Sequence, residues 1–70
     1  MNQLAIKLKK KRIDSGLTQK QVASQIHIAQ SLYSNIENNG SVTLINLVKV
    51  AKFLEIEVKI AYELYTTNLE

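Results

Sequence analysis

Between residues 29 and 37 the sequence reads Ala-Gln-Ser-Leu-Tyr-Ser-Asn-Ile-Glu. Its spacing predicts a short helix from Ala29 to Glu37. At about 100° per residue, Gln30, Ser31, Ser34 and Asn35 fall within an arc of about 140°, with Tyr33 and Ile36 on the other side. The arc carries no charge. Its amides and hydroxyls donate and accept hydrogen bonds, which is the chemistry of reading a polar edge. Spacing alone fits a plain solvated helix surface as well.

Other chemistries lack their residues. There is no cysteine, so disulfides and thiolate metal sites are excluded. The one histidine, His27, is read as a surface turn residue rather than a pH sensor or metal ligand. No paired acids share a face, and no glycine loop is built to cradle phosphate. The chain is read as a non-enzyme with no cofactor and no metal. Its three tyrosines form no stacking platform for single strands.

The elements that must position the arc are helical. Proline is absent and glycine occurs twice. Leu4, Leu8 and Ile13 among lysines predict an amphipathic helix from about Leu4 to Ser15, starting near Asn2 or Gln3 and stopped by a left-handed Gly16. Thr18 and Gln21 form a capping box for a helix that ends near Gln25, with Val22 and Ile26 pointing inward. A break at Ile26-His27-Ile28 leads into the Ala29–Glu37 helix, and Asn38-Asn39-Gly40-Ser41 is a loop by composition. Thr43 caps a fourth helix through about Leu54, with more apolar surface than one core contact needs.

The C-terminal region changes period. Ile56, Val58, Ile60, Tyr62 and Leu64 alternate with Glu57, Lys59, Ala61, Glu63 and Tyr65, which predicts a half-buried strand. A lone strand leaves its edges open, so its natural mate is the same strand of a second copy, antiparallel about a two-fold. Lys59 opposite Glu63 gives the preferred register. Phe53, Val58, Ile60, Tyr62 and Leu64 are the expected dimer residues. A fifth helix is the competing reading, since Val58, Ala61, Tyr62 and Tyr65 also make a helical stripe.

Length and charge agree with a small binding module. Seventy residues make one domain, and a chain this short is marginal alone, so self-association is expected. With 46% hydrophobic and 21% charged residues the composition is globular rather than disordered. Residues 1–40 hold six basic and two acidic side chains, net +4, and residues 41–70 hold three and four, net −1. The basic half suits a polyanion, although Lys7, Lys9, Lys10, Lys11 and Arg12 also fit a solvated helix face. No run is long and apolar enough to span a membrane, and residues 1–10 lack a signal-peptide core, so a cytoplasmic address is expected.

Two short helices joined by a tight turn make a helix-turn-helix unit. Gly16-Leu17-Thr18-Gln19, Val22-Ala23, Ile28, Ile36 and Glu37 resemble the Cro/C1-type repressor family over about Leu4 to Ile56. Within it, Ile28-Ala29-Gln30, Ser34 to Asn39 and the helix-to-strand passage Leu54 to Ile60 look like HipB-like antitoxins. The resemblance implies an all-α, lambda-repressor-like domain of four to five helices with a C-terminal strand paired across a homodimer. Residues 1–55 would bind DNA, 56–65 dimerise and 66–70 form a short tail.

The resemblance also implies roles. The third helix would enter the major groove, with Gln30, Ser31, Ser34 and Asn35 reading bases. Thr18, Gln19 and Lys20 at the second helix's start, with Asn38, Asn39 and Gly40, would hold phosphates. Arg12 and Glu37 resemble an ion pair of phage repressors. Departures are His27 where the family has glycine, Tyr33 for Ile or Val, and Ala29 for a capping Ser or Thr. The implied function is a homodimeric repressor of a palindromic operator, an autoregulating antitoxin whose partner would be a HipA-like kinase toxin, met through the fourth helix or the Leu69 end. A phage-type repressor or restriction-modification controller is the alternative, and a module that no longer binds DNA a third reading.

Overall fold

A computed structural model describes residues 2–67. Within them the chain forms α1 (Gln3–Asp14), α2 (Gln19–Gln25), α3 (Gln30–Asn39), α4 (Leu44–Phe53) and α5 (Val58–Thr67), with no strand. Helices α1 and α2 pack on α3, and α5 packs on α1 and α4.

Local capping sets most helix starts. The Asn2 side chain accepts a hydrogen bond from the Ala5 N–H at 3.0 Å. Thr18 and Gln21 close the full capping box, at 3.1 and 2.8 Å. Thr43 accepts from the Asn46 N–H at 3.3 Å. Ala29 offers α3 no side-chain cap, as its methyl group dictates.

Three helices end in the same way. Beyond α1, α2 and α4, a residue with positive φ turns the chain: Gly16 (74°), His27 (61°) and Glu55 (58°). Each N–H bonds back three residues, to Ile13, Ser24 and Lys52. The following N–H, of Leu17, Ile28 or Ile56, bonds back five, to Arg12, Ala23 or Ala51. These three apolar residues then pack on the core. The hydrophobic contact is what locks the motif, so it forms at His27 and Glu55 despite the cost of a left-handed turn without glycine.

The core gathers Leu4 and Leu8 from α1, Val22 and Ala23 from α2, Tyr33 and Ile36 from α3, and Leu47, Val50 and Ala51 from α4. Leu54, Ile56 and Ala61 complete it.

The C-terminal strand is corrected by the structure. Residues 58–67 are helical, and the Lys59–Glu63 register has no ladder to belong to. A helix satisfies its own backbone groups, whereas a solitary strand cannot. Packing decides the rest: Ala61, on the polar face of the strand reading, is fully buried, while Val58, Ile60 and Tyr62 are 38–50% exposed. β-branched content at Val58 and Ile60 is outweighed by one small buried residue that lets α5 approach its neighbours. Residues 66 and 67 belong to α5 rather than to a tail; the remainder of that tail, including Leu69, lies outside the described residues.

A Cβ added to Gly16 would meet nothing within 4 Å, so its requirement is purely conformational. Gly16→Ala is therefore expected to cost about 1 kcal/mol, lowering the melting temperature by about 4–8 °C. Thermal unfolding followed by circular dichroism checks this, and an unchanged midpoint contradicts it.

Candidate nucleic-acid interface

Helix α3 presents two faces of opposite character. Tyr33, Ile36 and Glu37 are buried, while Gln30, Ser31 and Asn35 are exposed and Ser34 is half-buried. The predicted arc is thus a surface ridge. The helix runs two residues beyond the expected end, to Asn39. That extension places exposed Asn38 at the angular centre of the ridge, between Ser31 and Ser34. Composition had assigned Asn38 to a loop; continuing the 100° count past Glu37 would have placed it correctly. Leu32, 40% exposed, borders the ridge beside Asn35.

The buried face of α3 is tied down by charge. Arg12 Nε donates to Glu37 Oε2 at 2.6 Å and a terminal nitrogen of its guanidinium donates to Oε1 at 3.1 Å. The other terminal nitrogen donates to the Leu17 carbonyl at 2.7 Å. Gln19 Nε2 adds a third bond to Glu37, at 3.1 Å. The Glu37 side chain is 1% exposed. Burial alone pushes its carboxyl up, but the bonds from Arg12 and Gln19 and the adjacent Tyr33 hydroxyl outweigh it, so its pKa is lowered. The Arg12 guanidinium is raised, first by its bond to Glu37.

Tyr33 completes this cluster imperfectly. Its ring is fully buried, and its hydroxyl lies against the Arg12–Glu37 pair without meeting hydrogen-bond geometry to either. Burial, with the neighbouring carboxylate, pushes the phenol pKa up, so the hydroxyl stays neutral. The hydroxyl thus reaches neither solvent nor a hydrogen-bond partner and has only proximity to charge.

The expected phosphate group is partly rearranged. Gln19 is half-buried and spends its amide on Glu37. Thr18 spends its hydroxyl and N–H on the capping box, leaving the Gln19 and Lys20 N–H groups at the start of α2 without a helical acceptor. Lys20 is exposed. Asn39 shapes the loop: its side-chain oxygen accepts from the Ser41 N–H at 2.8 Å, and its carbonyl accepts from Asn2 Nδ2 at 3.1 Å. Gly40 has φ of 71°, a conformation that favours glycine, and a Cβ there would displace the Asn2 amide.

The expected dimer residues do not share one face. Phe53 is half-buried in a cleft with Leu17 and the α2 side chains Lys20 and Gln21. Leu64 is half-buried against the core. Ile60 stands about 160° around α5 from Val58 and Tyr62. Alternation along the chain separates these side chains once the backbone is helical.

A family model described as Helix-turn-helix, HTH_3, matches residues 8–60. The chain belongs to the Cro/C1-type helix-turn-helix family. Its members are DNA-binding transcription regulators rather than typical enzymes, and this helix-turn-helix protein is one such regulator. The matched span covers the second half of α1, all of α2 to α4 and the start of α5, including the whole ridge. Neither a search of curated proteins nor one of solved structures returns a match. Among the described residues no helix is long and apolar enough to cross a membrane.

Two substitutions separate the parts of the buried cluster. Arg12→Ala leaves Glu37 buried without its strongest donor and is expected to cost about 3 kcal/mol. Tyr33→Phe removes a hydroxyl that makes no bond and is expected to change stability by less than about 1 kcal/mol in either direction. Denaturant unfolding measures both, and equal losses would contradict the assignment. Because the Glu37 pKa is lowered on folding, its contribution is complete above the ordinary carboxylate pKa of about 4 and is lost as pH falls through the lower folded value. Glu37→Gln should therefore show a shallower loss of stability than the wild type on acidification below about pH 5; parallel curves would contradict this.

Proposed function

We propose that this protein is a sequence-specific transcriptional repressor that acts as a homodimer on a palindromic operator in the cytoplasm. The observation that carries the reading is the uncharged ridge of Gln30, Ser31, Ser34 and Asn35, exposed above the buried side of α3. The ridge enters the major groove with the N-terminal end of α3 leading. Gln30 pairs with the N6 and N7 edge of adenine, Ser31 and Ser34 read with less discrimination, and Asn35 reaches a base or phosphate. Thr18, Gln19 and Lys20 on one side, and Asn38, Asn39 and Gly40 on the other, hold the phosphates. Gln19 does so through its backbone N–H while its side chain keeps Glu37. The described protomer measures 30 × 21 × 21 Å. Two such bodies side by side suit recognition helices about 34 Å apart, one turn of duplex.

The helical α5 bears on which regulator this is. The HipB likeness drew on Ile28-Ala29-Gln30, on Ser34 to Asn39, and on a strand after Leu54. With α5 in place of that strand, a phage-type repressor or restriction-modification controller becomes the better reading. An autoregulating antitoxin is the second, supported by the two stretches around α3. Co-purification of a HipA-like kinase with the tagged protein from its own host would favour the antitoxin.

The test is selection of duplexes from a random pool. The expected product is a palindrome bound by two protomers. Gln30→Ala should weaken binding by about 1–3 kcal/mol and relax preference at one base pair per half-site. Affinity should fall steeply between 50 and 200 mM salt, on the order of a hundredfold or more for several phosphate contacts per protomer. No enrichment of any duplex, or full affinity and preference in Gln30→Ala, would overturn the reading.

A further inference from the structure

Leu32 lies in the first turn of α3, at the end that leads into the major groove on the reading above. Of the apolar residues of α2 and α3, Val22, Ala23, Tyr33 and Ile36 are buried, whereas Leu32 is 40% exposed. At about 100° per residue it stands about 60° beyond Asn35, across the ridge from Gln30. Helix propensity does not account for an apolar side chain there. Gln, Lys or Glu would serve the helix as well, and Ser31, Ser34, Asn35 and Asn38 on the same side are poorer helix formers. This surface is therefore not composed for the stability of α3.

We propose that Leu32 reads the C5-methyl group of a thymine, at a base pair other than the one Gln30 contacts. The proposal rests on the DNA-binding reading above and names one letter of the sequence it recognises. Donors and acceptors cover the major-groove edges of the bases, and the thymine methyl is the apolar group among them. A leucine side chain matches it by having neither donor nor acceptor. Turned toward a phosphate, the same side chain would strip water and offer no hydrogen bond in return. Gln30 and Leu32 stand about 160° apart around α3, so their side chains diverge and meet different base pairs.

The apolar contact supplies a selectivity that its neighbours lack. The hydroxyls of Ser31 and Ser34 both donate and accept, so they tolerate several base edges. Leu32 does not. Cytosine in place of the thymine would offer no methyl and would bring its amino group against a side chain with no acceptor.

Removing the methyl group from the DNA tests this. In the selected palindrome each thymine, on either strand, is replaced in turn by deoxyuridine, which pairs alike and lacks only the methyl, in both half-sites together. Wild-type affinity should fall at one position by on the order of tenfold, one buried methyl group being lost in each half-site. Leu32→Ala should bind the thymine and deoxyuridine duplexes within about twofold of each other, because its side chain is too short to cover the methyl. Its salt dependence should be unchanged, since no phosphate contact is lost. Alanine favours a helix, and circular dichroism checks that the variant folds. Gln30→Ala should keep the difference at that thymine and lose preference at another base pair. A wild type indifferent to deoxyuridine at every thymine, a selected half-site without thymine, or a Leu32→Ala protein that still prefers thymine overturns the proposal while the DNA-binding reading stands. Equal weakening of Leu32→Ala on every duplex places the side chain on the sugar–phosphate backbone and overturns it too. So does loss of self-association in sedimentation equilibrium with thymine preference intact, which assigns Leu32 to a contact between copies. If no duplex is selected, the DNA-binding reading itself fails and the proposal with it.

Discussion

A carboxylate removed from water must be met by donors, and in this fold the carboxylate of Glu37 sets where three helices lie. Its side chain is almost fully buried near the end of α3. The donors come from elsewhere: Arg12 near the end of α1 and Gln19 at the start of α2. An uncompensated charge at such a site costs several kcal/mol, so the helices are held to the few placements that satisfy it. Arg12 extends the constraint to the Leu17 carbonyl, between α1 and α2. The ridge of α3 is the reverse side of this arrangement. Fixing Glu37 inward turns Gln30, Ser31, Ser34 and Asn35 outward at a set angle to the start of α2. The bridge thus contributes orientation more than net stability, which is the use a rigid binding surface has for it.

Much of this was legible because it is local. The Thr18–Gln21 box, the Gly16 stop and the uncapped Ala29 follow from side-chain chemistry within four residues, and the structure has all three. The ridge was legible because helical period converts spacing into direction. The Arg12–Glu37 bridge joins residues 25 apart and was accessible only through resemblance to a family. The donation from Gln19 to Glu37 was not accessible at all, since nothing at residue 19 distinguishes an amide aimed at phosphate from one aimed at a buried carboxylate. The left-handed turn at Glu55 left one signal: Leu54-Glu55-Ile56 repeats the apolar–polar–apolar pattern of Ile26-His27-Ile28 just past a helix end.

The end of the chain shows where periodicity misleads. Residues 56–65 alternate strictly, and they also carry a helical stripe. Both patterns are present, and only tertiary context chooses. A strand would have needed a second copy to satisfy its backbone, while the helix needs only the surface between α1 and α4. Ala61 fits that surface because it is small. The cost of the helical solution is visible in Val58, Ile60 and Tyr62, which it leaves partly in solvent.

The central claim is that the outward face of α3 meets DNA while the opposite face is fixed by Glu37. Its most direct measurement is a comparison of backbone amide spectra of the protein with and without its selected palindromic duplex. The account predicts the largest changes at Gln30, Ser31, Ser34, Asn35 and Asn38 and at the start of α2, with the amides around Glu37 and Arg12 little moved. Changes concentrated on the lysines of α1, with α3 silent, would contradict it.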